Sequence, residues 1–302
     1  MNRRGIRGVL ATLATLVVFL SFSVTAHAAA PKYVALGDSY ASGNGAGSYL
    51  TGTANASCYR STKSYPYLVA SSSGLALNQQ ACSGANISDV TTKQLSAVTP
   101  DTAYVTITIG GNDIGFSSVV STCLGTNTTA CLNAVTAATA TADSSAFRSK
   151  LRNLYLAVKG NAPTAIIVAT AYPRLFNGKD CSILTSFTST EMTKLNQGAD
   201  TLAEVIKAEA LAAGILYAEV RNPFVTHAVC DRTPWILNAS LFRSYESFHP
   251  NATGHSSGYK PTVASVMGPI SSTASSFKVT TGGVTSSDTT RGNVKIPKSQ
   301  KG

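Results

Sequence analysis

Three kinds of group able to break an acyl bond are scattered along the chain: a serine, histidines, and turns offering N–H donors. Ser39 closes Gly37-Asp38-Ser39, directly behind the apolar run Tyr33-Val34-Ala35-Leu36. Alone it reads as a polar residue ending a buried strand, because Gly-Asp is turn chemistry. It acts as a nucleophile only beside a base that takes its proton, and imidazole titrates nearest working pH. His227, His249 and His255 are the candidates downstream. His249 sits in the loop-like stretch Tyr245-Glu246-Ser247-Phe248-His249-Pro250-Asn251, with Glu246 three residues before it. A turn of that length brings a carboxylate back to the far ring nitrogen and fixes the tautomer. His255, after Gly254, is expected to be structural or capping, and His227 a surface or packing residue near a disulfide.

Acyl transfer also needs donors aimed at the developing oxyanion. Cys82-Ser83-Gly84-Ala85-Asn86 is a small-residue turn in which Gly84 exposes its backbone N–H. Gly110-Gly111-Asn112-Asp113 follows another strand and offers the Asn112 amide. Each is weak alone; Asn112 taken singly is an ordinary Asx-turn.

These groups need elements to hold them. Apolar, β-branched segments at 32–36, 102–109 and 164–171, with a weaker one at 215–218, predict strands. Apolar periodicity predicts a helix over 147–155, stopped by Gly160 and Pro163, and a long one over 188–213 whose Leu195, Leu202, Val205 and Ile206 share a face. Alternating strands and helices predict a parallel sheet covered on both faces, with ligands beyond the carboxyl ends of the strands. If their strands are central, Ser39 and the Gly110–Asp113 turn share one rim.

The chain has 302 residues and six cysteines. Arg3, Arg4 and Arg7 precede an apolar run from Val9 to Val24 that ends in Ala26-His27-Ala28, so residues 1–28 read as a signal peptide and the protein as secreted. One domain is expected over 29–270. The stretch 271–302, rich in Ser, Thr and Lys, reads as a flexible tail. The three leader arginines account for part of the +10 formal charge, and Lys278, Arg291, Lys295, Lys298 and Lys301 against Asp288 for another part. The body is therefore only mildly basic, and no nucleic-acid patch is evident. A basic tail outside the cell suits transient contact with a lipid surface. An even cysteine count in a secreted chain favours three disulfides over a zinc site, since no C-x-x-C is present. No metal, nucleotide or flavin motif appears, so no cofactor is expected.

The order of the blocks, GDS near the start, a Gly turn, GGND, then a late HPN, resembles the SGNH hydrolases, the GDSL esterase/lipase family, over residues 31–268. The set is most similar to the secreted actinobacterial branch of lipases, esterases and phospholipases A1. The resemblance implies a three-layer α/β/α flavodoxin-like sandwich and disulfides Cys58–Cys82, Cys123–Cys131 and Cys181–Cys230. It also implies Ser39 as nucleophile, His249 as general base, and an oxyanion hole of Ser39, Gly84 and Asn112. Two positions depart from the family pattern: Tyr40 stands where Leu is usual, and Glu246 where Asp is usual. Glu246 is expected to orient His249, with a backbone carbonyl just upstream as the alternative. The implied activity is that of a monomeric serine esterase acting on lipid or small esters. Phospholipase A1 action is the alternative and carbohydrate deacetylation stays open. A catalytically silent binding protein of the same fold is the reading of another class. Tyr49, Tyr59, Tyr65, Tyr67 and Phe116 are groove-wall candidates, or ordinary packing residues.

Overall fold

Five short runs pair into one parallel sheet in the computed structural model, which describes residues 29–52 and 57–269. The expected signal peptide, 1–28, and basic tail, 271–302, lie outside the described residues. Strands β1 (Lys32–Gly37), β2 (Ala76–Gln79), β3 (Thr102–Thr108), β4 (Ile166–Thr170) and β5 (Leu216–Ala218) lie in the order β2-β1-β3-β4-β5. The chain steps from β1 outward to β2, then returns to β3 on the other side of β1. That reversal leaves a crevice between the carboxyl ends of β1 and β3, where open α/β sheets bind ligands. The register pairs Gly37 with Thr108, so both strands end level.

Tyr33, Val34, Ala35 and Leu36 are completely buried, as are Val105 and Ile107. Strands buried on successive residues, Thr106 and Thr108 of β3 included, are those of a parallel sheet covered on both faces. The α-helices of four or more described residues are α1 (Ser39–Ser42), α2 (Tyr65–Ser73), α3 (Phe116–Cys123), α4 (Thr128–Asp143), α5 (Ser145–Asn161), α6 (Ser189–Ala212) and α7 (Lys260–Met267). Helix α6 packs on β4 and β5 with α4 and α5 beside it, while α7 covers the other side with α2. The result is the expected three-layer sandwich. The long helix begins at a capping box in which Thr188 and Glu191 satisfy each other's backbone N–H. Buried Glu209 joins it to α5 by accepting from Arg148 at 3.1 Å and Arg152 at 2.7 Å, the pairing a buried carboxylate requires.

The three disulfides are Cys58–Cys82, Cys123–Cys131 and Cys181–Cys230. Strand β2 and helices α1, α2, α3, α4 and α7 escape the periodicity analysis. Strand β2, Ala-Leu-Asn-Gln, is half polar because it lies at the sheet edge, and α4 is a run of Ala and Thr with little apolar contrast between its faces.

Candidate active site

Gly37 is the hinge on which the site turns. Its φ is +130°, and a Cβ there would meet the Thr108 carbonyl oxygen at 2.1 Å, so only glycine lets β1 approach β3 so closely. The Gln94 side chain clamps this residue from both sides, accepting from Gly37 N at 2.8 Å and donating to Gly37 O at 2.9 Å. The next residue, Asp38, caps α1 by accepting from Tyr40 N at 3.0 Å. The nucleophile candidate is therefore the first residue of a short helix on the sheet rim.

Ser39 Oγ lies 2.8 Å from Nε2 of His249. The far ring nitrogen, Nδ1, lies 3.0 Å from the carbonyl oxygen of Ser247. A carbonyl only accepts, so this contact requires hydrogen on Nδ1 and leaves the Nε2 lone pair for the Ser39 hydroxyl. Loss of hydration pushes the His249 pKa down to about 4, against the opposing bond to Ser247. Phe248, just before the histidine, has φ +62°, a conformation that bulky side chains rarely adopt. It is held there by its own N–H to Leu237 O at 2.9 Å and by the Tyr40 hydroxyl, which donates to Phe248 O at 2.7 Å. Tyr40 thus gives its departure from the family pattern a structural consequence: the helix carrying Ser39 grips the loop carrying His249.

Glu246 does not meet the expectation that it orients the imidazole. One carboxylate oxygen accepts from Tyr49 OH at 2.6 Å and the other faces Arg243 at 3.3 Å. The short 3-10 turn Ser244–Glu246 and the left-handed Phe248 swing the carboxylate away and bring the Ser247 carbonyl to the ring instead.

Across the same groove stand Gly84 and Asn112. Gly84 has φ +82° and open space on its Cβ side, so its glycine answers a backbone demand and not a steric one. Its turn is tied down by the Cys58–Cys82 disulfide and by Ser83 N donating to Cys58 O at 3.1 Å. One N–H of the Asn112 amide donates to Ala85 O at 2.8 Å, which aims the other at the groove. No intramolecular acceptor engages the N–H of Ser39 or Gly84 among the described residues.

Several contributors are invisible in sequence. Tyr172 OH accepts from Gly111 N at 2.9 Å and donates to the Asp38 carboxylate, joining the serine turn to the asparagine turn. Burial raises the Asp38 pKa to about 7, despite that hydrogen bond. Asn44 spans the other wall, donating to Tyr245 O at 2.7 Å. His255 is fully buried and accepts from Tyr65 N at 3.2 Å, capping α2 from across the fold. His227 stacks on Trp235, away from the groove. Of the aromatic candidates, Phe116 lines the groove, Tyr49 holds Glu246, Tyr59 stacks on Tyr245, Tyr65 is core and Tyr67 stays on α2.

Two spaces open from Ser39. One is the polar-rimmed groove, bordered by Ser83, Ser240, Leu241 and Tyr245. The other is a channel between the sheet rim, α4 and α6, walled by Ile114, Val119, Val135, Leu175, Leu195 and Leu202. Among the described residues no three His, Cys, Asp or Glu side chains are grouped to hold a metal.

A parallel α/β/α sandwich with serine and imidazole hydrogen-bonded at its switch point is the architecture of the SGNH-type hydrolases. Comparison with known proteins names the family: residues 35–256 match the GDSL-like Lipase/Acylhydrolase family, and the chain belongs to it. It is 40% identical to Lipase 1 of Streptomyces coelicolor over 248 residues, 80% of this chain and 90% of that one. The crystal structure of the extracellular lipase of Streptomyces rimosus superposes with a TM-score of 0.73 at 40% identity, covering 78% of this chain and all of that one. Phospholipase A1 from Streptomyces albidoflavus superposes at 0.74 and 38% identity, covering 78% of this chain and 99% of that one. The protein is a carboxylic ester hydrolase.

Proposed function

We propose that the protein is a secreted serine esterase of acyl lipids in which Ser39 is the nucleophile and His249 the base. The observation that carries this is the 2.8 Å contact from Ser39 Oγ to His249 Nε2, facing Gly84 and Asn112 across one groove. His249 takes the hydroxyl proton as Ser39 Oγ attacks the ester carbonyl. The imidazolium so formed is steadied by Nδ1–H donating to Ser247 O. The oxyanion is held by the N–H groups of Ser39 and Gly84 and by the Asn112 amide, donors fixed before the charge appears. Collapse of the tetrahedral intermediate expels the alcohol, which takes the proton from His249. Water, deprotonated by the same imidazole, then releases the acid.

The apolar channel suits the acyl chain and the open groove the alcohol portion. A groove bordered by serines accommodates a polar head group, which supports phospholipase A1 action as the second reading; so does the similarity to the Streptomyces albidoflavus enzyme. Residues 29–270 form the catalytic unit, preceded by a cleaved signal peptide and followed by the basic tail. Among the described residues no helix is long and apolar enough to cross a membrane.

The test is acyl release by the mature protein and its Ser39→Ala variant from p-nitrophenyl esters, a triacylglycerol emulsion and phosphatidylcholine vesicles. Turnover abolished by the substitution supports the serine mechanism, and the preferred panel names the substrate. Turnover that survives Ser39→Ala refutes it.

A further inference from the structure

We infer that the two loops flanking the groove, 181–187 and 238–247, form a docking surface for anionic phospholipid membranes. The inference rests on reading the groove as an ester-hydrolase site. Of the large apolar side chains described, the three most exposed are Ile183 at 100%, Phe242 at 97% and Leu241 at 75%. All three fall on these two loops, and the adjoining Leu184 together with Leu241 lines the groove itself. Exposed apolar residues scattered singly mean little, but a cluster beside a binding groove marks an interaction surface.

The loops are built to hold these residues out. Asp180 accepts from Ser182 N at 3.2 Å, Thr185 Oγ1 at 2.6 Å and Phe187 N at 2.8 Å, so its carboxylate folds the first loop around itself. The second loop is closed by Ser240 N donating to Ser247 Oγ at 3.0 Å. The Cys181–Cys230 disulfide and the Asn238 amide, 3.5 Å from Cys230 Sγ, fasten the two side by side. A preorganised apolar rim loses little freedom when it is buried.

Charge selects the partner. The three carboxylates of this region are engaged within the protein: Asp180 as above, Asp231 with Ala228 N at 2.9 Å and the Asn177 amide at 3.3 Å, and Glu246 with Tyr49 and, at 3.3 Å, Arg243. The cations Lys179 and Arg232 are exposed, and Arg243, exposed too, pairs with Glu246. Apolar tips among outward-facing cations complement an acyl layer under phosphate-bearing head groups. An ester drawn from that layer enters the groove without crossing water.

Binding is read by sedimentation of full-length Ser39→Ala protein with sucrose-loaded vesicles of phosphatidylcholine, with or without phosphatidylglycerol. Binding to the anionic vesicles is expected, and Ile183→Ser with Phe242→Ser should raise Kd about tenfold or more. Lys179→Gln with Arg232→Gln should raise it about fivefold on anionic vesicles only. No binding by the parent overturns the inference. So does binding that survives Ile183→Ser with Phe242→Ser, which would assign the contact to the tail. With Ser39 restored, the Ile183→Ser/Phe242→Ser protein should cleave soluble p-nitrophenyl acetate at the parent rate but vesicle phospholipid about tenfold more slowly. Failure of the active protein on every ester refutes the hydrolase reading, while vesicle binding by the Ser39→Ala form still decides the docking surface.

Discussion

With a peptide carbonyl at Nδ1 in place of a carboxylate, His249 is oriented by a dipole, and its tautomer is fixed without an ion pair at the ring. Two outcomes follow for single residues. Glu246→Gln should keep kcat within about threefold of the parent, since the carboxylate serves Tyr49 and not the imidazole; a hundredfold loss in steady-state kinetics would return the role to Glu246. The acid limb of kcat/KM should lie near pH 4, because His249 is pushed down to about 4 and stays neutral below the usual imidazole range. A limb near the ordinary imidazole value would mean that the working ring is hydrated. Tyr172→Phe should lower kcat about tenfold, and should lower stability by about 1–3 kcal/mol because the buried Gly111 N–H loses its acceptor; kinetics and thermal melting read the two effects. Sequence singled out Ser39, Asn112 and His249 because each stands at a sharp turn of distinctive composition. Tyr172 was not singled out, since a tyrosine before proline at a strand end looks like packing, and its value lies in joining two turns distant in sequence. Glu246 was misread for a related reason: spacing of three residues brings a carboxylate near, but a left-handed Phe248 reverses which group arrives.

Elements explain why the site is where it is. Because β1 and β3 end level, two turns that sequence places far apart become facing walls, and alternation of strands and helices was enough to foresee that rim. The channel is another matter. It is made by small residues of α4 and α6, Ala138, Gly198 and Ala199 among them, whose type carries no message until the helices are packed. Gly198 already brings α6 close to α4, with its missing Cβ 3.3 Å from Thr139 and Val135. Ala199→Phe should fill the channel. Esters of long acids should then lose the burial energy of about 0.8 kcal/mol per methylene, roughly fourfold in kcat/KM for each carbon excluded, while p-nitrophenyl acetate is spared. A chain-length series measures this directly, and an unchanged long-chain preference would move the acyl group to the open groove.

Over the molecule as a whole, buried ionisable groups oppose one another. Burial pushes His249 down to about 4 and His255 to about 3, so the unfolded chain binds more protons than the fold below pH 6.5, and stability is lost as pH falls. Burial raises Asp38 to about 7 and Asp113 to about 6, so the fold binds more protons than the unfolded chain above pH 3.8, and stability is lost as pH rises. The two effects overlap between about pH 4 and 6, where Tm should be nearly flat. Asp113→Asn removes part of the second effect and should tilt the profile, so that Tm falls on acidification; melting curves across this range test the balance. The contact between Ser39 and His249 has one more consequence. It joins residues 210 positions apart, so every truncated or half-made chain that stops short of the histidine carries a serine with no proton acceptor. On the proposed mechanism activity is therefore a certificate of completion: a fragment that ends before His249, however well folded, has no base with which to cleave an ester.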